Sequence, residues 1–465
     1  MTETTWLGFS IDRTSKIPVF EQICLAIRTR ANSGELAEGA KLPPTREFAT
    51  ELGVSRSTIV TAYEQLVAEG YLRSRARSGY HIWTSGNVEL ASHIAPPATI
   101  AEADKPHSPI PFEAGQPDMR LFPYRQWAKT LARSCRTNPQ AMFEESPVFG
   151  NFNLRKAVAN HVSEWRGIQA SPRQIIITAG ATDAVELCLR TLLNRGDKIG
   201  LEDPGYPRVR QFAKVQDLTL TYLDIDEHGT RIPDELINPR LVFVTPSHQY
   251  PLGGAMSPNR RLEFIQWANK QKAWILEDDF DSEFRYAGRP IPALAGFDQL
   301  NHTLYAGSFA KLFSRSLRLG YLIIPENLLD RFHASFRSFG ARASLLPQQA
   351  LADFMTSGEF YRHLRRMRRI YAERRAFLLA QLRKDFSDIG SFIDHQAGTL
   401  IVLHLNDRYH DSNISRQMQQ RGFRLQTLSS FSSDRSNHNG LILGFCAYTR
   451  EEMKPALTAL RSCFS

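Results

Sequence analysis

The sequence predicts a small helical head closed by a two-stranded wing, then a large α/β body with a mostly parallel sheet and a smaller α+β lobe. Three observations predict it. Residues 1–83 are dense in apolar positions at helical spacing, punctuated by turn glycines. Residues 84–110, TSGNVELASHIAPPATIAEADKPHSPI, are poor in aromatics and carry APP and KPHSP, the composition of a linker. From residue 111 onward, short runs rich in Ile, Val and Leu alternate with helix-length segments. The expected domains are therefore 1–83, 84–110 and 111–465, with the small lobe from about residue 350.

Bulk properties bound the reading. The chain of 465 residues is too long for one compact domain, and at 42% apolar and 23% charged it can build full cores. A net charge of +9 favours a polyanionic partner such as nucleic acid. Residues 1–85 hold 10 basic and 9 acidic side chains, so a nucleic-acid site in the head must come from local placement. The five cysteines form no CxxC pair, so neither a metal site nor a disulfide framework is expected, and a reducing cytoplasm fits. MTETTWLGFS lacks a basic patch before an apolar core, so no signal peptide is expected. No run of 18 apolar residues suggests a membrane span.

In the head, IPVFEQICLAIRTRANSGEL carries Val19, Ile23 and Ile27 at helical spacing, predicting a first helix. After two prolines Thr45 is placed to cap a short helix. ELGVS then supplies a glycine turn, and Ser55 caps a further helix with Val60, Tyr63 and Leu66 inward. Helix, tight turn and helix is the helix-turn-helix layout, whose second helix enters the major groove by its N-terminal end. That end holds Ser55, Arg56, Ser57 and Thr58, all hydrogen-bond donors, with Arg46 on the neighbouring helix for phosphates. YLRSRARSGYHIW reads as the wing, with Arg75, Arg77, Ser78 and Gly79 near its tip. An ordinary helical hairpin with a solvated basic turn is the competing reading.

In the body, the strand runs are RQIIITAG (173–180), DKIGLED (197–203), RLVFVTPSH (240–248), KAWILEDDF (272–280), HTLYAGSF (302–309) and RLGYLIIP (318–325). Continuous apolar strands spaced by helices mark a sheet covered on both faces. The stretch HLRRMRRIYAERR with the Arg362 before it holds seven arginines between 362 and 375. Leu364, Met367, Ile370 and Tyr371 give it an inner face, so a structural helix with a solvated basic side is favoured over a DNA contact.

Chemistry concentrates in AGSFAKLFSRSLRLGY (306–321), where Lys311 has Ser308 three residues before it and Arg318 seven after. A desolvated lysine at a strand end loses its proton more readily and can form a Schiff base. Ser308 and the forked Arg318 can share one phosphate. Alone, the stretch also fits a surface lysine beside a helix-capping serine. Other stretches shift the balance. LEDDFD puts Asp278 at a strand end, where pyridoxal phosphate needs a carboxylate to keep its ring nitrogen protonated. ITAGATDAVEL sets Gly180, Ala181 and Thr182 at a strand-to-helix turn, whose amides suit a phosphate. EDPGYPRV offers Tyr206 as a flat ring over a cofactor.

The head stretch KLPPTREFATELGVSRSTIVTAYEQLVAEGYL resembles the GntR family of winged-helix repressors. The body stretches look like fold-type I aminotransferases. From residue 15 to the end the chain resembles the MocR branch of GntR regulators, which includes the GabR-like proteins. The resemblance implies pyridoxal 5'-phosphate held as an internal aldimine on Lys311, with Asp278 at the ring nitrogen and Tyr206 against the ring. It implies phosphate contacts from Ala181, Thr182, Ser308 and Arg318, and an effector acid group on Arg208. It also implies a homodimer in which each head crosses to its partner's body.

Three positions depart from the family pattern. Phe280 stands where the family has a tyrosine reaching the cofactor's phenolic oxygen. Glu145 falls near a tyrosine that reaches the partner's phosphate, and Ile442 near a carboxylate-binding arginine. Arg424 and Arg435 are close by but out of register. The expected function is a cofactor-dependent transcriptional regulator that binds a double-stranded operator and senses an amine or vitamin B6 compound. γ-Aminobutyrate, taurine, a compatible-solute product and the cofactor itself stay open as effectors. Little physiological turnover is expected, with residual transaminase activity allowed. The alternative is an active aminotransferase with an accessory DNA-binding head.

Overall fold

The computed structural model describes residues 10–83, 110–142, 147–340, 342–433 and 438–464. The linker expected at 84–110 therefore lies outside the described residues but for Ile110, as do Glu145 and Arg435. The chain divides into two compact units, 1–106 and 107–465.

In the first unit, α1 (Val19–Asn32), α2 (Thr45–Leu52) and α3 (Arg56–Ala68) precede the hairpin β1 (Leu72–Arg75) and β2 (Gly79–Ile82). Ile23, Ile27, Phe48, Ile59, Tyr63 and Leu66 form its core. Gly53 ends α2 at φ 61°, giving the turn, and Ser55 Oγ accepts from Thr58 N at 3.2 Å to start α3. Two expectations need correction. Thr45 is not a cap: Pro44 holds the cap position with φ −55° and ψ 141°, and Thr45 is the first helical residue. Proline needs no N–H there, so its fixed φ starts the helix without a side-chain acceptor. The inner stripe of α3 runs through Ile59 and Ala62, and Val60 is only half-buried. At 100° per residue, Tyr63 and Leu66 share their face with Ile59 rather than with Val60.

The second unit opens with α4 (Tyr124–Thr137) and α5 (Phe152–Arg166). Strands and helices then alternate: β3 (Ile175–Thr178), α6 (Ala181–Leu192), β4 (Lys198–Asp203), α7 (Pro207–Val215), β5 (Thr219–Asp226) and β6 (Gly229–Thr230). They continue with β7 (Leu241–Val244), α8 (Pro258–Gln271), β8 (Trp274–Asp279), α9 (Leu294–Phe297), β9 (Thr303–Ser308) and β10 (Gly320–Ile323). The sheet order is β3-β10-β9-β8-β7-β4-β5-β6, parallel from β9 through β5, with β10 and β6 reversed. Each expected strand run forms one of these strands, so the fold class of the body stands.

Three helices, α10 (Leu329–Phe339), α11 (Leu346–Thr356) and the long α12 (Glu359–Asp385), lead to the small lobe. That lobe joins β11 (Gly390–Ser391), β12 (Leu400–Leu405), α13 (Asp411–Gln420), β13 (Gln426–Thr427), β14 (Gly440–Gly444) and α14 (Arg450–Arg461). Its sheet is antiparallel, in the order β11-β12-β14-β13. On α12, Leu364, Met367 and Tyr371 are buried while Arg362, Arg365, Arg366 and Arg369 are exposed. Its last two arginines of the run turn inward: Arg374 binds Asp118 at 2.7 Å and Arg375 pairs with Asp394.

Replacing Ser55 by Ala removes the acceptor at the start of α3. About 1 kcal/mol is expected to be lost, seen as faster native-state amide exchange along α3 of the full chain.

Candidate cofactor site and nucleic-acid interface

The parallel strands end together at Thr178, Asp203, Val244, Asp279 and Ser308, and open sheets bind ligands at that carboxyl edge. Every cofactor residue expected from the sequence lies on it or in the turns that leave it. Gly320 pairs with both Thr178 and Ser308, and a Cβ there would come within 2.8 Å of Gly180 Cα. This close approach brings the start of α6, Ser308 and the Arg318 turn together.

Gly180 has φ 101° and ψ 174°, a conformation other residues avoid, and a Cβ on it would meet only open space. The first bond inside α6 runs from Ala184 N to Gly180 O at 3.1 Å. The N–H groups of Ala181 and Thr182 thus point out of the helix start. Arg318 is exposed and held at φ 47°, a strained value of the kind that persists at ligand sites. Ser308 Oγ accepts from Ala310 N at 3.1 Å, which fixes the turn into Lys311.

Four acids crowd the end of β8, and the structure separates their roles. Glu277 accepts from Leu294 N and Ala295 N at 3.1 and 2.8 Å, capping α9. Asp279 binds the buried Arg166 at 2.8 Å and accepts from Tyr305. Asp281 is bonded to His248 and Thr399. Only Asp278 keeps a buried oxygen, Oδ1, without a partner. Burial lifts its carboxyl to about 7, against the pull of Lys311. A ring nitrogen bearing a proton is the donor this oxygen lacks.

Lys311 Nζ lies 4.0 Å from the centre of the Phe280 ring and 5.6 Å from that of Tyr250. Burial pulls its pKa below the ordinary lysine value, opposed by Asp281 and then Asp278. Burial raises the Tyr206 hydroxyl while a hydrogen bond with Thr182 lowers it, and Asp278 and Arg208 both act on it. Tyr206 lies edge-on to Tyr250 at 5.9 Å, bonded to Thr182 and in the field of Asp278. Arg208 is exposed on the first turn of α7, whereas Arg210 is tied to the carbonyls of Phe431 and Ser432 at 2.6 and 2.7 Å.

The departures are physical ones. Phe280 puts an aromatic face, not a hydroxyl, against the lysine. Ile442 is buried in β14 between Val402 and Gln426, in an apolar cluster reaching Tyr250, and Arg424 is exposed. Sequence reasoning passed over Tyr250, His248, Asp281 and Arg166. TPSHQYPLGG carried the first two, but no spacing signalled that Tyr250 approaches a lysine some sixty residues on, or that His248 meets Phe280 and Asp281.

In the head, the Ser55 hydroxyl lies 2.7 Å from Ser57 Oγ and 2.8 Å from Thr58 Oγ1, closing a hydroxyl cluster at the start of α3. Arg56, Ser57 and Arg46 are exposed. In the wing, Ser78 N donates to Arg75 O at 3.1 Å, with Arg77 at φ 63° and Gly79 at φ 93° shaping the turn. Arg77 and Gly79 are exposed, and the Ser78 hydroxyl is 2.9 Å from His81.

The bacterial regulatory proteins of the gntR family match residues 20–82, and aminotransferase class I and II matches residues 109–460. The chain is 35% identical to the "Probable rhizopine catabolism regulatory protein MocR" of Rhizobium meliloti, over 98% of this chain and 95% of that one. The chain belongs to the MocR type of GntR-family transcriptional regulators. It is also 32% identical to the pyridoxine biosynthesis regulator PdxR of Corynebacterium glutamicum, over 96% of this chain and 95% of the relative. An archaeal alanine:glyoxylate aminotransferase has the fold of this MocR-type body, with TM-score 0.70 and 23% identity over 77% of this chain and 90% of that one. So does LysN, the α-aminoadipate aminotransferase of Thermus thermophilus, at TM-score 0.67 and 24% identity over 76% and 91%. This fold implies pyridoxal 5'-phosphate, and the orphaned Asp278 oxygen and open helix start fit it.

The raised Asp278 carboxyl has a measurable consequence. In the folded, cofactor-free chain it holds its proton up to about pH 7, and unfolded it gives it up near pH ~4. Between these values the folded state binds the extra proton, so stability falls as pH rises across that window. Asp278→Asn is expected to weaken this pH dependence and to melt above the native protein at pH 7–8, in thermal scans from pH 4 to 8.

Proposed function

We propose that this chain is a DNA-binding regulator whose body holds pyridoxal 5'-phosphate at Lys311 and senses an amine-containing or vitamin B6 effector. The observation that carries the reading is the partnerless buried oxygen of Asp278 beside a desolvated Lys311, in a chain with a winged-helix head. When bound, the cofactor supplies an aldehyde carbon reactive toward amines and an electron-withdrawing ring.

The chain's own residues bind and orient. The amides of Ala181 and Thr182 would receive the phosphate, with Ser308 and Arg318 supplying further donors. Asp278 would accept a hydrogen bond from the protonated ring nitrogen, and Tyr206 would cover the ring. Lys311 would hold the cofactor's aldehyde carbon through its amine, and Arg208 would meet an acid group on an effector whose amine competes for that carbon. With Phe280 in place of a hydroxyl donor and Ile442 in place of a cation, the site favours sensing over turnover. The head occupies residues 1–83, the linker 84–110 and the body 111–465. Two chains form a cytoplasmic homodimer whose paired heads read two half-sites of an operator. Effector binding shifts DNA affinity only through unequal affinity for two body conformations.

Visible absorbance of the purified protein and of Lys311→Ala, titrated with pH after incubation with the cofactor, tests the site. A pH-dependent band in the native protein that is missing from the variant is expected; no band in either removes the sensor. On the DNA side, Arg56→Ala is expected to cost about 1–3 kcal/mol and relax base preference at one position. Arg46→Ala should weaken binding to all sequences alike and lower the salt slope by about 1. Fluorescence anisotropy on operator and random duplexes across salt separates the two effects.

A further inference from the structure

Next to Lys311 lies a buried acid–base pair that the site described above leaves unused. Asp281 Oδ1 is 2.8 Å from His248 Nδ1. Its Oδ2 accepts from Thr399 N at 3.0 Å and from Thr399 Oγ1 at 2.9 Å. All three residues are buried. His248 belongs to the turn after β7, Asp281 to the turn after β8, and Thr399 directly precedes β12 of the small lobe. The carboxylate thus joins two strand ends of the large sheet to the first long strand of the other.

One aromatic ring, Phe280, touches both this pair and the lysine. The His248 ring centre is 5.5 Å from that of Phe280, tilted by 31°. The same Phe280 ring holds Lys311 Nζ 4.0 Å from its centre. Room for the imidazole depends on Gly398 at φ 86°, where a Cβ would overlap the His248 ring. An aromatic face attracts an ammonium but supplies no full negative charge. A buried ammonium on such a face still needs an anion close by.

We propose that Asp281, held by His248 and Thr399, is a positioning residue that acts as the buried counter-ion of Lys311 and ties that counter-ion to the small lobe. This deepens the reading of Lys311 as the reactive amine and rests on it. The charges bearing on the lysine are Asp281 and Asp278, which favour its ammonium form, Arg315, which opposes it, and Cys446. Asp281 itself is raised by burial, yet His248 and Lys311 bring it below the usual carboxylate range, so it carries its charge. Any movement of the strand behind Thr399 removes two of its hydrogen bonds.

The test uses the full-length, cofactor-free chain. Lys311 is pulse-acetylated across pH 6–10 and its modified fraction is read by mass spectrometry. In Asp281→Asn the amine should lose its proton at lower pH. Labelling at fixed pH below the native midpoint should rise about tenfold, the equivalent of one pKa unit. Should that variant fail to fold, Asp281→Asn/His248→Asn removes the charge together with its partner and keeps an amide–amide hydrogen bond; the same shift is expected. A folded variant whose labelling profile coincides with the native one overturns the proposal. The absorbance comparison with Lys311→Ala is a separate readout. A missing cofactor band with a shifted labelling profile would defeat the Schiff-base reading and leave the counter-ion standing.

Discussion

The buried guanidinium of Arg166 is the constraint on which the site depends. Four acids stand within five residues at the end of β8, and water does not reach most of them. Without a cation among them the strand end would repel itself or take up protons. Arg166, the last residue of α5, binds Asp279 at 2.8 Å and Tyr305 at 3.2 Å, and donates to Ser247 and to the Ile291 carbonyl. A second guanidinium, Arg261, holds the carbonyls of Pro246 and Pro292 at 2.8 and 2.5 Å. Together they pin the two turns that frame the sheet edge. The turn through 246–247 leads straight into His248, and Asp279 is neutralised one residue from Asp278. The free oxygen of Asp278 is therefore a product of the pairing around it.

Sheet strands were legible because a parallel strand buried on both faces reads as an unbroken apolar run. IIIT, LVFV and TLYA are such runs, and each sits inside the large sheet. The strand β5, TLTYLDID, was not among those expected. It lies next to the short edge strand β6 and alternates buried with exposed residues, so its pattern is that of a half-exposed strand. In the head, element existence was plain and the fine detail was not. A proline at the cap position and a stripe shifted from Val60 to Ile59 are decided by backbone angles and by Phe48 and Leu52 opposite.

The site was legible one residue at a time, and its pairings were not. LEDDFD announces acids at a strand end but not which one is spare. That depends on Arg166 more than a hundred positions earlier and on Thr399 more than a hundred later. Tyr250 and His248 are in the same condition. Tyr250 reaches the lysine, and His248 reaches Phe280 and Asp281, through a turn whose geometry has no period to read.

Phe280 gives the site its particular character. A hydroxyl at that position would act on a bound cofactor directly, at one atom. A phenyl ring acts on the free amine, because its face attracts an ammonium and offers nothing to a neutral ring oxygen. That attraction opposes the burial that lowers the Lys311 pKa. With the lysine unattached and charged, an anion in its field matters more than any local donor, and Asp281, bonded to His248, is anchored through Thr399 to the small lobe. A catalyst returns to its starting state each cycle and gains little from stabilising a detached lysine. A sensor as proposed would gain from holding it, and the Phe280 face is the contact that would do so.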